Sequence, residues 1–296
     1  MARRLGRFIF CTHFVKSTKP CYELDTLFSA INTVQKIMTT LIQYFPWLKR
    51  FNRCKDTPAH KNILLGQNIS RYRKLMETAQ RIAQIDPLAL TDLIRAIIRP
   101  LQSDYLLGVA EMGTDPFPNI DAWCFFGKAV REHLFTDDGM RFLANKLNNK
   151  NYRLNLAYDP ILPWAWKDDR YISAIATIGK RKKTGASWEQ DSNHCVELWL
   201  PWGIGFVCGG NHSITAGILA AEGTLIPDSV YDMGFLFNDI SCDGAYYLDR
   251  HTGKKLEKIN DYRRAAIFEI GRIMQNHGYI SPLSEANRHT SALVTD

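Results

Sequence analysis

The sequence predicts an α/β protein of the α+β kind: a mostly helical N-terminal region, residues 1–150, followed by a compact mixed domain, residues 151–296. Two changes of texture carry this. Up to about residue 150, apolar side chains recur three and four apart, the spacing of one helix face. Beyond it Trp, Gly and β-branched residues become frequent, and short apolar runs alternate with short helical ones. A third observation bounds both halves, since 46% of 296 residues are apolar, enough to build real cores.

The elements follow in order. Leu24, Leu27, Phe28, Ile31, Val34, Ile37, Met38, Leu41, Ile42 and Phe45 fall on one stripe and predict a long amphipathic helix over 22–45. A second helix is expected over about 70–85. A third follows Pro87 and is interrupted by Pro100, which lacks the N–H that a helix interior requires. DPFP at 115–118 breaks regular structure, and a helix is expected from Asp137-Asp138 to the Asn-rich NKLNNKN. In the second half, Asp168-Asp169 cap a helix over 170–178 that ends before Gly179. CVELWLP and IGFVCG read as paired short strands. A helix runs over 213–221, closed by Gly223, and a strand over about 230–237 leads to a hairpin turning at Asp243-Gly244. Asn260-Asp261 cap a last helix over 262–276, ended by Gly278.

Composition narrows the function classes. A formal charge of +7 and a pI near 9.0 suit a polyanionic partner such as a nucleotide or nucleic acid. Cys11, Cys21, Cys54, Cys124, Cys195, Cys208 and Cys242 are odd in number and widely spread, as reduced thiols are, and not as a disulfide framework is. No apolar run reaches a membrane span, and MARRLGRFIFCTHF lacks the long apolar stretch and cleavage site of a leader. A cytoplasmic protein with no membrane partner is expected.

The densest motif is VCGGNHSITAGI, in which Gly209 and Gly210 join an apolar strand to a helix start. A helix that begins straight after a strand presents unpaired N–H groups at its positive end, and glycines let an anion approach that main chain. Gly209, Gly210, Asn211, Ser213 and Thr215 are therefore candidate ligand-binding residues, with Ser213 as the helix cap. His212 is the candidate acid or base, held neutral by the helix end. Arg170 and Lys182 are candidate phosphate contacts, the former beside Trp164 and Trp166, which could stack a base.

Across residues 154–232, the order LAYDPILPWAW, DDRYISAIATIG, VELWLP, IGFVCGG, NHSITAGILAAEG and a returning strand resembles the ParB and sulfiredoxin-like superfamily. That resemblance implies a glycine turn that grips nucleotide phosphates at a helix start. Sulfiredoxins carry Gly-Gly-Cys-His-Arg where this chain has Gly209 to Ser213. Asn211 thus stands at the nucleophile's place and excludes sulfiredoxin chemistry. Ser213 stands at the phosphate-gripping arginine's place, so cationic charge would have to come from Lys180, Arg181, Lys182 or Lys183. The helical half resembles no family, although the chain is of the kind found in bacterial or phage mobile elements.

Other constellations are weaker. Cys11, His13 and Cys21, with Cys54 or His60, are zinc-type ligands in a spacing that matches no finger, and His194, Cys195, Cys208 and His212 form a second Cys/His set. Cys208 ends an apolar strand, where burial and inertness are expected. Asp239, Asp243 and Asp249, with Glu197 and Glu222, read as turn residues ahead of a carboxylate metal site. No metal site and no particular cofactor is assigned. The expected function is binding, with or without hydrolysis, of a nucleoside phosphate or nucleic acid through GGNHS. The alternative is a non-catalytic nucleic-acid-binding or protein-interaction module whose helix at 22–45 pairs with a second copy or another chain.

Overall fold

The structure, a computed structural model, describes residues 63–113, 122–136, 139–183 and 185–278. The chain divides into two units, Met1–Arg53 and Cys54–Asp296. The first lies outside the described residues, as do the expected helix at 22–45, the first Cys/His set, and DPFP.

Among the described residues the helical region begins with α1 (Ile63–Ile85) and α2 (Leu90–Met112), joined through a 3-10 turn at Pro87–Ala89 that Asp86 caps by accepting from the Leu88 N–H. Leu90, Ile94, Ile97, Ile98 and Tyr105 are buried along one stripe of α2, as the helical spacing requires. Pro100 does not interrupt this helix. It sits on the exposed side, one turn beyond the exposed Ala96, whose unpaired carbonyl water can satisfy, so the packed stripe carries the helix past it. No α-helix follows Asp137, which with Asp138 lies outside the described residues. Instead Phe135–Thr136 pairs antiparallel with Gly139–Met140, and 3-10 turns at Arg141–Asn145 and Asn149–Asn151 follow. A connection two residues long favours a tight hairpin over a helix start. A short helix, α3 (Lys128–Leu134), precedes this segment.

The mixed domain is built on a five-stranded sheet of β1 (Lys146–Leu147), β2 (Ile161–Leu162), β3 (Cys195–Leu200), β4 (Ile204–Gly209) and β5 (Ser229–Asp232), in the spatial order β1-β5-β3-β4-β2. β3 and β4 form the expected antiparallel hairpin, while β4 runs parallel to β2 and β3 parallel to β5. The strand expected over 230–237 stops at Asp232, and Leu236–Asp239 forms a helical turn. A meander of β6 (Ile240–Cys242), β7 (Tyr246–Asp249) and β8 (Lys255–Lys258) turns at Asp243-Gly244 as expected and precedes the last long helix, α6 (Tyr262–Asn276), capped by Asp261.

Strand alternation divides the core. Trp199, Ile204 and Phe206 join Tyr72, Ile94, Ile98, Phe125, Trp202 and Phe268 on one face, so α1, α2 and α6 contribute to the same packed cluster as the sheet. Val196, Leu198 and Leu200 point the other way and pack with Leu154, Leu156, Trp188 and Ile214, consistent with period-two pleating. On this second side lies α5 (Asn211–Ala220), which leaves β4 through Gly210 alone and contributes Ile214 to that cluster, while α4 (Asp168–Thr177), which leaves β2 through residues 163–167, buries Tyr171 against Val109 of α2. Among the described residues no helix is long and apolar enough to cross a membrane.

Candidate functional site

The site is set by two neighbouring strand-to-helix turns. Because β2 and β4 are parallel neighbours, the helices that follow them start at the same end of the sheet, the end where open α/β sheets place ligands. The Lys167 main-chain N–H donates to His212 Nε2 at 3.2 Å where the helices begin. The Lys180 N–H donates to a Glu222 carboxylate oxygen at 2.9 Å where they finish. α4 and α5 are therefore parallel, and their positive ends lie side by side.

Gly210 is the N-cap of α5, in the left-handed region at φ 73° and ψ 22°. A Cβ there would meet His194 Cδ2 at 2.4 Å, and a Cβ at Gly209 would meet the Asn193 carbonyl oxygen at 2.6 Å. The glycines thus make room first for the chain at 193–195, which crosses the turn, and one of them supplies the conformation that starts the helix. Buried His194 is fixed by the Asp191 main-chain N–H, 2.7 Å from its Nδ1, and by Trp188, with ring centroids 4.8 Å apart. Ser213 is not the cap: α5 begins two residues earlier than expected, and no side chain caps it. The N–H groups of Asn211, His212 and Ser213 are left without an intrahelical acceptor. At the far end the C-cap is Ala221, left-handed at φ 54°, and not Gly223.

Two of the candidate side chains hold the neighbouring turn. Asn211 Oδ1 accepts the Trp164 N–H at 2.6 Å, and His212 Nε2 accepts the Lys167 N–H. An accepting Nε2 keeps its lone pair, so the neutral ring carries its proton on Nδ1. Burial lowers the His212 pKa below the usual histidine value and the Arg170 guanidinium lowers it further, while the hydrogen bond with the Lys167 main chain opposes the shift and outweighs the smaller effect of the Lys167 charge. The exposed Trp166 ring stands edge-on to His212 with centroids 5.8 Å apart. The structure accordingly brings Trp166, Arg170, Asn211, His212 and Ser213 to one place. Thr215 is fully buried in the second turn, its hydroxyl unpaired among the described residues.

Lys182 is not brought there. The loop Lys180–Lys183 follows the C-terminus of α4, where the Lys182 chain passes Gly179 and an Arg181 guanidinium nitrogen reaches the Ala220 carbonyl oxygen. Ten residues of α4 separate it from His212, roughly 15 Å at the helical rise. Asp168 and Asp169, expected to cap α4, are instead the first residues of its first turn, with Lys167 as the N-cap and no side-chain cap. Lys167 is the residue that sequence reading missed. Its signal was available, a cation directly ahead of the acidic first turn, but only the pairing of β2 with β4 gives it meaning.

The remaining constellations resolve locally. Among the described residues, no group of three or more His, Cys, Asp or Glu could hold a metal ion. Asp243 accepts the N–H groups of Ala245 and Tyr246, and Asp249 those of His251 and Thr252, both in turns. Asp239 pairs with Arg141 and His251. Cys208 is exposed at its strand end, not buried as expected, with its Sγ 2.7 Å from that of Cys195.

A family model described as a family of unknown function (DUF6710) matches residues 49–281, and the chain belongs to that family. No curated protein and no solved structure matches the chain.

Proposed function

We propose that this family member binds the phosphate of a nucleotide at the shared N-terminal end of α4 and α5. The observation that carries this reading is the meeting of two positive helix ends beside two cations whose charge only the acidic first turn of α4 balances. Two helix N-termini meet there, α5 has no side-chain cap, and neither Lys167 nor Arg170 has an ion-pair partner among the described residues. Cations at the positive end of a helix are unfavourable by themselves, and an anion reverses the sign of the interaction. The first-turn N–H groups of α5 and the His212 Nδ1–H would donate to phosphate oxygens, with Arg170 alongside and Trp166 offering a face or edge to a base. The resemblance to ParB and sulfiredoxin-like domains points the same way, and the spread of the cysteines keeps the cytoplasm as the compartment in this reading.

His212 serves here as donor and positioning group. For it to act as a base in hydrolysis, Nε2 would have to exchange the Lys167 N–H for a water. Phosphate release by wild type, His212→Gln and His212→Ala separates the two roles, since full activity in both variants removes His212 from the chemistry. The reading itself is tested by titrating the protein calorimetrically with ATP, inorganic phosphate and a single-stranded oligonucleotide at two salt concentrations. ATP binding that weakens more than phosphate binding in Trp166→Ala supports a nucleotide site. Binding of the oligonucleotide alone, with a steep salt dependence, supports a nucleic-acid-binding module instead. No heat with any of the three contradicts both.

A further inference from the structure

Cys195 opens β3 and Cys208 is the penultimate residue of β4. Val196 pairs with Val207, but Cys195 pairs with Gly209, so Cys208 is an extra residue and, with Gly209, faces Cys195 alone. A bulge of this kind re-aims the bulged side chain, and here the two sulfur atoms come to 2.7 Å. Neither thiol belongs to the packed clusters, and Cys208 is open to solvent at the strand end.

We infer that Cys195 and Cys208 form a disulfide modification site, closed by thiol–disulfide exchange with a low-molecular-weight disulfide and reopened by the corresponding thiol. One of the two sulfurs, as its thiolate, attacks a small disulfide RSSR. A protein–S–S–R bond forms and RS⁻ leaves with the electron pair of the broken S–S bond. The second protein thiol loses its proton to solvent and its thiolate displaces the second RS⁻ from the mixed disulfide. The protein gives up two electrons, and the small disulfide becomes two thiols. The hydrogen bond with Cys195 pushes the Cys208 thiol well above its ordinary pKa, so Cys208 joins the bond by proximity and not by acidity. Once formed, the bond ties β3 to β4 two residues ahead of the Gly210 cap.

The test uses the full chain in glutathione buffers of increasing oxidised fraction. The protein is quenched in acid, alkylated and digested with chymotrypsin, which cuts between the two cysteines at Trp199, Trp202 or Phe206. The expected result is a pair of peptides joined through Cys195 and Cys208, with each protein losing two hydrogens. The link should appear at an oxidised-glutathione level at least tenfold lower than any other protein cystine requires, and that preference should vanish in urea. Cys195→Ser and Cys208→Ser should each abolish it and leave one glutathione adduct. Recovery of both cysteines alkylated, or each carrying glutathione with no link between them, overturns the inference. So does equal linkage to Cys242 in the native protein.

Discussion

The two ends of the parallel pair α4 and α5 both carry cations, but in opposite electrostatic surroundings. At the C-terminal end, Lys180–Lys183 lie beside helix carbonyls, the Arg181 guanidinium approaches the Ala220 oxygen, and Glu222 ties down the Lys180 main chain. Basic residues there complement the negative end of the helix dipole and need no ligand. At the N-terminal end, Lys167 and Arg170 face the positive ends of two helices, offset only by Asp168 and Asp169. The comparison teaches that a basic cluster is informative by its position on the dipole and not by its density. The four-residue run that dominates the sequence is the self-consistent one, and the two separate cations beside Trp166 are the ones that call for an anion.

The first way to break this comparison is at the turn that creates the N-terminal end. Gly210→Ala places a Cβ against His194 in a left-handed conformation. It should cost about 2–4 kcal/mol of stability through strain and overpacking, read from denaturant unfolding. A loss below about 1 kcal/mol would mean that His194 moves freely and that the tight turn is not what positions α5.

Asn211→Ala comes next. It leaves the Trp164 N–H without its acceptor and should cost about 1 kcal/mol. Hydrogen exchange should quicken across 163–167 in this variant and stay unchanged across 180–183. Equal protection at both ends would show that the clamp does not hold the turn.

A smaller effect comes from His212. Its folded-state pKa is depressed by burial and then by Arg170, so folding favours the neutral ring. Its contribution to stability is therefore fully present above the unfolded value of about 6.5 and is lost as pH falls toward the lowered folded value. Wild type should lose stability relative to His212→Gln over that interval, and saturating phosphate should diminish the loss by restoring the imidazolium. Parallel pH curves for the two proteins would remove the electrostatic account of this end.

The smallest expected effect sharpens the other end. Ala221 caps α5 in the left-handed region that disfavours a Cβ, so Ala221→Gly should stabilise by about 0.5–1 kcal/mol. It should also leave phosphate binding untouched. Thermal unfolding with and without phosphate measures both.

Much of the local structure was legible. The Asp168-Asp169 helix, the β3–β4 hairpin, the turn at Asp243 and the Asp261 cap follow from short-range chemistry in contiguous residues. Pro100 misled because its exposed position in a packed helix is a tertiary fact. The helix expected from Asp137 misled because Phe135–Thr136 and Gly139–Met140 on either side of it pair as strands too short to show a period. The site was half legible. Gly209, Gly210 and His212 announce a strand-to-helix turn, but the neighbour of that turn depends on β2, whose two residues, Ile161 and Leu162, are too few to show a period. Without β2 beside β4, neither the role of Lys167 nor the remoteness of Lys182 can be read. Nor does any local pattern reveal that His194, sixteen residues before Gly210, is what fills the space beside it.

The central claim is that the anion goes to one end of the helix pair and not to the other. Thermal unfolding of wild type, Arg170→Ala and Lys182→Ala across increasing ATP concentrations tests it most directly, because a ligand that binds the folded state raises the melting temperature by an amount that grows with the logarithm of its concentration relative to Kd. The account predicts a rise in wild type, the same rise within twofold in Lys182→Ala, and about tenfold more ATP needed in Arg170→Ala, corresponding to about 1.4 kcal/mol. No rise in any of the three, or a rise lost in Lys182→Ala and kept in Arg170→Ala, would contradict it.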